Sequence, residues 1–177
     1  MLIVASILIV LLAGDFASTF FYHAPQHVWG TLHLRTHHDA RLKFWDQAVV
    51  SKNPGILLDG FFGAVPYFVI AAICAYTLSP IGAGIGLLLG WSHVLWRHTT
   101  VIGWKSPAWL VAFSRATSLV LPEDHAKHHR DPEIAFGDLF NFYDAPARAY
   151  IKWLRAQGWG RRRSQNKLRR TRAKAMT

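Results

Sequence analysis

The sequence predicts an all-α fold, an integral membrane helical bundle of about three transmembrane helices plus an interfacial helix, with a cytoplasmic histidine-rich cap. Three observations lead to this prediction. Hydrophobic residues make up 51% of the 177 residues, and the mean hydropathy of +0.15 is high for a soluble domain, whose surface must be solvated. The hydrophobic residues gather in long runs. All ten histidines, in contrast, fall in four short clusters.

Three apolar runs are candidate membrane spans: residues 2–22, 56–79 and 81–97. A helix rises about 1.5 Å per residue, so roughly 20 residues cross a hydrocarbon core of about 30 Å. The first run has neither a basic segment before it nor a small-x-small cleavage site. We therefore expect it to be retained as a transmembrane helix and not removed as a signal peptide.

Two further segments predict how the helices pack and where the chain leaves the bilayer. Gly82, Gly86 and Gly90 recur every four residues, so they share one helix face and should let another helix approach closely. Residues 107–121 are apolar, but the run is short and is interrupted by Arg115. This pattern predicts a helix that lies in the interface and does not cross the bilayer.

The formal net charge of +10 is concentrated at the C-terminus, where residues 161–174 include eight basic residues and no acidic one. We therefore divide the chain into a membrane-embedded domain, residues 1–158, and a basic, disordered cytoplasmic tail, residues 159–177. Such a tail could bind nucleic acid. Beside membrane spans, the positive-inside rule and anionic lipid explain it better, so we expect a membrane partner and no nucleic acid.

The same charge pattern predicts the orientation of the chain. The segment 35–52 is basic as well, so it and the tail should both face the cytoplasm. The histidine clusters and the C-terminus are then cytoplasmic, and the N-terminus lies on the opposite side. If residues 107–121 crossed the bilayer, the fourth histidine cluster, which is His125, His128 and His129, would emerge roughly 30 Å from the other three clusters, too far to share a site.

The histidines are the candidate metal ligands. Residues three and four apart share one helix face, so the spacings H-x3-H, H-x3-H-H and H-x2-H-H can aim several imidazoles at one point. A lone histidine is more often a hydrogen-bonded interface residue, but ten in clusters of ligand spacing favour metal binding. The candidate ligands are His23, His27, His33, His37, His38, His93, His98, His125, His128 and His129.

Two clusters do not fit one regular helix. His93 and His98 are five residues apart, so they require a helix end, a π-bulge or two different metals. Pro25 lies between His23 and His27, and its ring clashes with the carbonyl of Phe21 in a regular helix. The first helix should therefore bend or end at Pro25.

Ten imidazoles are too many for one ion, whereas about three to five per ion leave two ions and one or two spare histidines. Neutral imidazole suits iron, zinc, copper and nickel. Ligating histidines usually donate their second N–H to a carboxylate or carbonyl, and Asp124, directly before the fourth cluster, is the first candidate for that role. Asp15, within the first span, is either a functional group or a hydrogen-bonded packing residue.

The order and spacing of the clusters carry a family resemblance. H-x3-H, H-x3-H-H, H-x4-H and H-x2-H-H follow one another, and the segments 122–129 and 136–144 complete the pattern. Over residues 23–144 the chain resembles the fatty acid hydroxylase / sterol desaturase superfamily of membrane oxygenases. The resemblance implies two iron ions, with zinc as a substitute in isolated protein, and O2 as co-substrate. It also implies a lipid substrate that is hydroxylated or desaturated, and electrons from a ferredoxin or cytochrome b5-type protein.

Two alternatives remain open at the level of sequence. The short chain and the H-x4-H box are also similar to β-carotene hydroxylases, although H-x3-H and H-x3-H-H depart from the pattern usual there. A membrane metal-binding or transport protein is the alternative of a different class. A transporter would need polar or charged residues along several spans, whereas here the histidines lie at the cytoplasmic ends and the spans are nearly bare apart from Asp15 and Asp59, which favours an enzyme.

Overall fold

The structure, a computed structural model, describes residues 1–30, 32–38, 44–47 and 51–158. Within these ranges the regular secondary structure is helical, and the strand-like pairing is confined to a single bridge between Leu119 and Phe140. The predicted tail, residues 159–177, lies outside the described residues. The α-helices are α1 Leu2–Ser18, α2 Ala24–Val28, α3 Leu32–Thr36, α4 Phe44–Gln47, α5 Pro54–Thr77, α6 Pro80–Trp96, α7 Ala108–Thr117, α8 Pro122–Arg130 and α9 Asp144–Ala156. A π-helical turn covers Thr19–His23, and short 3-10 helices cover Thr99–Ile102 and Asn141–Tyr143.

Helices α1, α5 and α6 pack side by side, with α6 parallel to α1 and α5 antiparallel to both. The glycine face of α6 lies against α1, as the sequence predicted. A Cβ atom on Gly82 would lie 2.4 Å from the carbonyl oxygen of Ile3, and one on Gly86 would lie 2.8 Å from Cβ of Val10. Any larger side chain at these two positions would push the helices apart, because the neighbouring atoms belong to backbone or to a branched side chain.

Two helical segments are long and apolar enough to cross a membrane, Leu2–Val28 with 27 residues and Pro54–Thr77 with 24. Only 33% and 17% of their apolar windows are buried, so most of each window faces outward, unlike a core helix of a soluble protein. The third predicted span, α6, has 17 residues and is therefore about 25 Å long, shorter than a typical hydrocarbon core.

The first helix does not end at Pro25 but continues to Val28 through the π-helical turn. In this turn the N–H of Ala24 bonds to the carbonyl of Thr19, five residues back. The wider turn directly before the proline lets the helix pass a residue that lacks an N–H donor. It also carries His23, the first candidate ligand.

The remaining short helices cover the end of the bundle that bears the histidines. Helix α7 has ten residues, about 15 Å, so it is too short to cross a bilayer. Helix α9 buries Ala147, Ile151 and Leu154 against α2 and against Phe136. This small core attaches the C-terminal part of the cap to the end of the first helix.

Candidate metal centre

Nine of the ten histidines assemble into two adjoining groups. The first histidine group is His23, His27, His33, His38 and His128, and the second histidine group is His37, His98, His125 and His129. Within each group the candidate ligand atoms all lie within 4.8 Å of one another. Two nitrogens on one metal ion can be at most about 4.2 Å apart, so each group needs only a small contraction to surround an ion.

Neighbouring residues in one cluster supply different groups. On α8, His125 and His129 belong to the second histidine group, whereas His128 belongs to the first. The expectation that these three converge on one point is therefore wrong. Successive helical residues are about 100° apart, so His128 and His129 leave the helix in different directions. Helix α8 thus lies between the two groups and contributes to both.

The two groups share a wall of stacked and edge-on rings. The ring centroids of His33 and His37 are 4.8 Å apart, and those of His38 and His129 are 5.3 Å apart. Each of these pairs joins one member of the first group to one of the second. Two ions bound here would therefore be close neighbours and could act on the same small molecule.

Hydrogen bonds at Nδ1 orient several of the rings. His128 Nδ1–H donates to the carbonyl of Ile134 at 2.6 Å, and His98 Nδ1–H donates to that of Val94 at 2.7 Å. His33 Nδ1 lies 3.1 Å from a carboxylate oxygen of Asp59. Since a carbonyl or carboxylate accepts the hydrogen, Nε2 of each ring keeps its lone pair for a metal.

The unpaired nitrogens indicate where an ion would sit. Nε2 of His27 and Nε2 of His33 are buried and have no hydrogen-bond partner among the described residues. In the second histidine group, Nε2 of His125 lies 3.0 Å from Nε2 of both His98 and His129. Buried polar atoms without partners are costly, and Nε2 of His98 keeps a lone pair because its Nδ1 carries the hydrogen, so both arrangements are compatible with a shared cation.

Burial keeps the rings in the neutral form that binds metals. Loss of solvation is the largest cause at each ring: it lowers the pKa of His128 to about 4, that of His98 to about 3, and the pKa of His125 as well. The positive charge of Arg97 adds to the effect at His98 and His125. All three imidazoles are therefore uncharged at neutral pH.

Asp138 connects the first histidine group to Arg97. Its Oδ1 atom lies 3.5 Å from Nδ1 of His23 and accepts a hydrogen bond from Arg97 Nη1 at 2.6 Å, and Ser18 donates to Oδ2 at 3.0 Å. Although burial raises the pKa of Asp138, the Arg97 guanidinium, His23 and these hydrogen bonds hold it below its usual value. A carboxylate is therefore present beside the His23 ring.

Asp15 holds the segment that bears Asp138. Its fully buried carboxylate accepts the backbone N–H groups of Asp138 at 3.1 Å, Leu139 at 3.1 Å and Phe140 at 2.7 Å. Of the two roles left open by the sequence, this geometry favours the hydrogen-bonded packing residue. Asp15 still serves the metal centre indirectly, because it positions Asp138.

The carboxylates beside the histidine rings belong to Asp59 and Asp138, whereas the sequence pointed to Asp124. Asp124 pairs with Lys127 at 2.7 Å near the surface of α8, while Asp59 and Asp138 contact the rings. Asp59 has a sequence signal, since an acidic residue within an apolar run is a functional candidate by default. Asp138 lies in the segment 136–144 that completes the histidine pattern, but its partners Ser18 and His23 are far away in the chain, so the sequence did not distinguish it from the other acidic residues near the clusters.

A cavity of about 630 Å³ lies between α5 and α6 and reaches the metal centre. His23 and His33 of the first histidine group and His37 of the second form part of its wall. Most of the remaining wall is apolar and includes Phe61, Phe68, Leu87, Leu88 and Val94. The volume is within the range of about 300–1,000 Å³ for small-molecule sites.

His93 is the one histidine outside both groups. Its Nε2–H donates to the carbonyl of Val120 at 2.9 Å, and its ring forms part of the cavity wall. Helix α6 ends at Trp96, so His98 follows the helix end and turns toward α8. The H-x4-H spacing is thus explained by a helix end, one of the three options drawn from the sequence.

Comparison of the chain with protein-family models, with curated proteins and with solved structures found no match. The family resemblance that the histidine spacing carries therefore stays a prediction. The chemistry of this protein has to be argued from the two histidine groups and the cavity beside them.

Proposed function

We propose that this chain is a membrane-bound, non-haem di-iron oxidoreductase that uses O2 to hydroxylate or desaturate a C–H bond of a membrane lipid, with a fatty acyl or sterol-like chain as substrate. The observation that carries the proposal is the position of two adjoining all-histidine groups at the end of an apolar cavity. One arrangement supplies metal ligands and room for an apolar molecule at the same place.

The donor set fits iron. Neutral imidazole binds several divalent metals, zinc included, so the ligands alone allow more than one ion. Iron is proposed because the apolar cavity suits an alkyl chain, whose C–H bonds are inert to acids and bases and need a redox metal. When bound, the two irons would supply the activation of O2 and the removal of hydrogen from the substrate.

Hydroxylation consumes one O2, two electrons and two protons, and it yields the alcohol and one water. We propose that the electrons come from a ferredoxin or cytochrome b5-type protein. The chain's own residues orient the rings through Asp59 and Asp138, hold the substrate in the cavity and keep water from the reacting carbon.

The proposed membrane placement has three crossing helices. Leu2–Val28 and Pro54–Thr77 are long enough to cross a hydrocarbon core. The third helix, α6, packs against both of them and exposes large apolar side chains, among them Ile81, Leu88 and Leu89. A short span is accommodated by local thinning of the bilayer. The histidine groups lie at the C-terminal ends of the first helix and of α6, and we place that end in the cytoplasm because the basic segment 35–52 follows the first helix in the sequence.

The arrangement of polar groups favours an enzyme over a metal transporter. The histidines gather at one end of the bundle, and Asp15 and Asp59 are both engaged, by backbone N–H groups and by His33. A transport path would need ligands at successive depths of the bilayer. Among the described residues, groups of three or more His, Cys, Asp or Glu that could hold an ion are confined to the two histidine groups.

The test is turnover by the full chain in lipid nanodiscs, loaded with iron and supplied with NADPH, ferredoxin reductase and ferredoxin. Under 18O2, hydroxylation adds labelled oxygen to the lipid, and desaturation removes two hydrogens. Separate fatty acyl, sterol and carotenoid lipids distinguish the substrate branches by mass spectrometry. His129→Ala, which removes one ligand of the second group, is the inactive control. Two bound irons with no change in any of the three lipid classes would refute the proposal.

A further inference from the structure

A chain of hydrogen bonds runs from Tyr22 through Asp59 to His33. The hydroxyl of Tyr22 donates to Oδ1 of Asp59, and the other carboxylate oxygen, Oδ2, lies 3.1 Å from Nδ1 of His33. Asp59 is only 5% exposed, so these two donors take the place of the water that a carboxylate would otherwise bind. Nε2 of His33 is buried and has no partner among the described residues, which leaves it for an ion.

Packing on α5 holds the ring of Tyr22 where its hydroxyl meets Asp59. Tyr22 lies in the π-helical turn directly before His23, and its ring stacks on that of Phe62 with centroids 6.3 Å apart. A Cβ atom on Gly63 would lie 3.6 Å from Cδ1 of Tyr22, which is an ordinary contact distance. Phe62 and Gly63 follow Asp59 by three and four residues, so all three share one face of α5. The hydrogen bond of the tyrosine is thus part of the contact between the first helix and α5.

Tyr22 and His33 share the negative charge of one carboxylate. A carboxylate that accepts the hydrogen of a metal-ligating imidazole makes that ligand more basic, and a more basic ligand stabilises the more highly charged state of the ion. A second donor on the same carboxylate draws charge away from the imidazole. The strength of the bond from Tyr22 therefore determines how strongly Asp59 acts on His33.

We infer that Tyr22 is a positioning residue of the metal centre that acts through Asp59 and His33, and that its hydroxyl raises the reduction potential of the ion in the first histidine group. This inference deepens the proposed function and rests on it for iron as the metal. The hydrogen-bonded chain itself would act on any cation bound at His33, so a metal without redox chemistry tests it separately.

Redox titration of the iron-loaded full chain in nanodiscs tests this role, with Mössbauer spectroscopy to count ferric and ferrous iron. Tyr22→Phe should lower the reduction potential of one ion, because Asp59 then acts on His33 alone. Asp59→Asn should raise it, because a neutral amide attracts the imidazole hydrogen less. If Tyr22 only held Asp59 in place, its loss would free the carboxylate and shift the potential in the same direction as Asp59→Asn. A raised or unchanged potential in Tyr22→Phe therefore overturns the inference.

Two further variants separate the hydrogen bond from the fold. Tyr67→Phe removes a hydroxyl from the wall of the same cavity, where no histidine of either group bonds to it in the described part of the chain, so both potentials should stay unchanged. A monofluorinated tyrosine in place of Tyr22 keeps the ring and the hydroxyl but donates more strongly, so it should raise the potential. Absence of that rise overturns the inference even if Tyr22→Phe does not fold.

The affinity for Zn²⁺, measured by chelator competition, gives the same comparison without iron. Tyr22→Phe should bind one zinc ion more tightly than the wild type, whereas Asp59→Asn should bind it about 10–100-fold more weakly. These zinc affinities, in a chain that takes up no iron, support the hydrogen-bonded chain and count against the oxygenase. Lipid oxidation under 18O2 by a chain whose potentials and zinc affinities do not respond to Tyr22→Phe supports the oxygenase and overturns the inference.

Discussion

The backbone N–H of Phe140 donates to the carboxylate of Asp15 at 2.7 Å, although the two residues are 125 positions apart. With the parallel bonds from Asp138 and Leu139, this contact fixes the chain after α8 against the first helix. Asp138 is thereby held beside His23 and Arg97. An acidic residue within an apolar helix thus supports the metal centre without touching a metal ligand.

Replacement of Asp15 should destabilise the cap. Asp15→Leu leaves three backbone N–H groups without an acceptor, and each buried unpaired group costs about 1–3 kcal/mol. Asp15→Asn keeps one acceptor oxygen and should lose less. Thermal unfolding in detergent measures both, and the expected order of Tm is wild type, Asn, Leu. A Tm for Asp15→Leu equal to that of the wild type would show that the segment is held by other contacts.

Asp138 should set the affinity of the first histidine group. Asp138→Ala removes the carboxylate that lies 3.5 Å from Nδ1 of His23, and loss of a group that supports a ligating histidine typically lowers metal affinity about 10–100-fold. Competitive chelator titration should show one weakened ion and one that is bound as in the wild type. Asp131→Ala is the control, because Asp131 lies on the same segment after α8, and it should change the affinity of neither ion. Equal weakening of both ions would mean that Asp138 acts on the fold as a whole.

The two histidine groups should lose their ions separately. His128→Ala opens the first group and His125→Ala opens the second, so each variant should retain about one ion per chain and lose oxidation activity. Lys127→Ala, exposed on the same helix, should retain both ions and full activity. Metal analysis of the purified chains gives the counts. If the double variant His125→Ala/His128→Ala retains as many ions as either single variant, the division into two groups is wrong.

Metal-free protein should lose stability as the pH falls below about 6.5. His98 and His128 have folded-state pKa values of about 3 and about 4, lower than in the unfolded chain. The unfolded chain therefore takes up protons first, and stability that is present above pH 6.5 decreases toward pH 4, by at most about 2 kcal/mol per ring at pH 5. Thermal unfolding of the metal-free chain at pH 7.5, 6.5 and 5 checks the sign. A Tm that rises on acidification would contradict it.

The ends of the bundle should face different compartments. After Cys74→Ala removes the native cysteine, single cysteines at Lys52 and Lys105 should label from the cytoplasm, and one at Tyr76 should label from the other side. All three native side chains are exposed. The basic segments set this orientation through the positive-inside rule. Labelling of Tyr76→Cys and Lys52→Cys from the same side of the membrane would refute the proposal that α5 and α6 form a hairpin across it.

Much of this protein is determined by local sequence. The apolar runs determine where the long helices lie, and the glycine spacing on α6 determines which face meets α1, because helix periodicity depends only on nearby residues. The clustering of histidines predicted ten candidate ligands, and the structure assembles all of them except His93 into two groups. The shortness of residues 107–121 likewise predicted a helix that does not cross the bilayer.

Only the tertiary structure determines which histidines form each group and which carboxylates lie beside them. Whether a ring joins the first or the second histidine group depends on where the first helix, α3, α6 and α8 meet, so His37 and His38 separate, as do His128 and His129. The same holds for the carboxylates: Asp124 is next to a cluster in sequence, yet Asp138 reaches His23 across the fold. Spacing along a chain determines the direction of a side chain on its own helix, but only packing brings distant helices to one point.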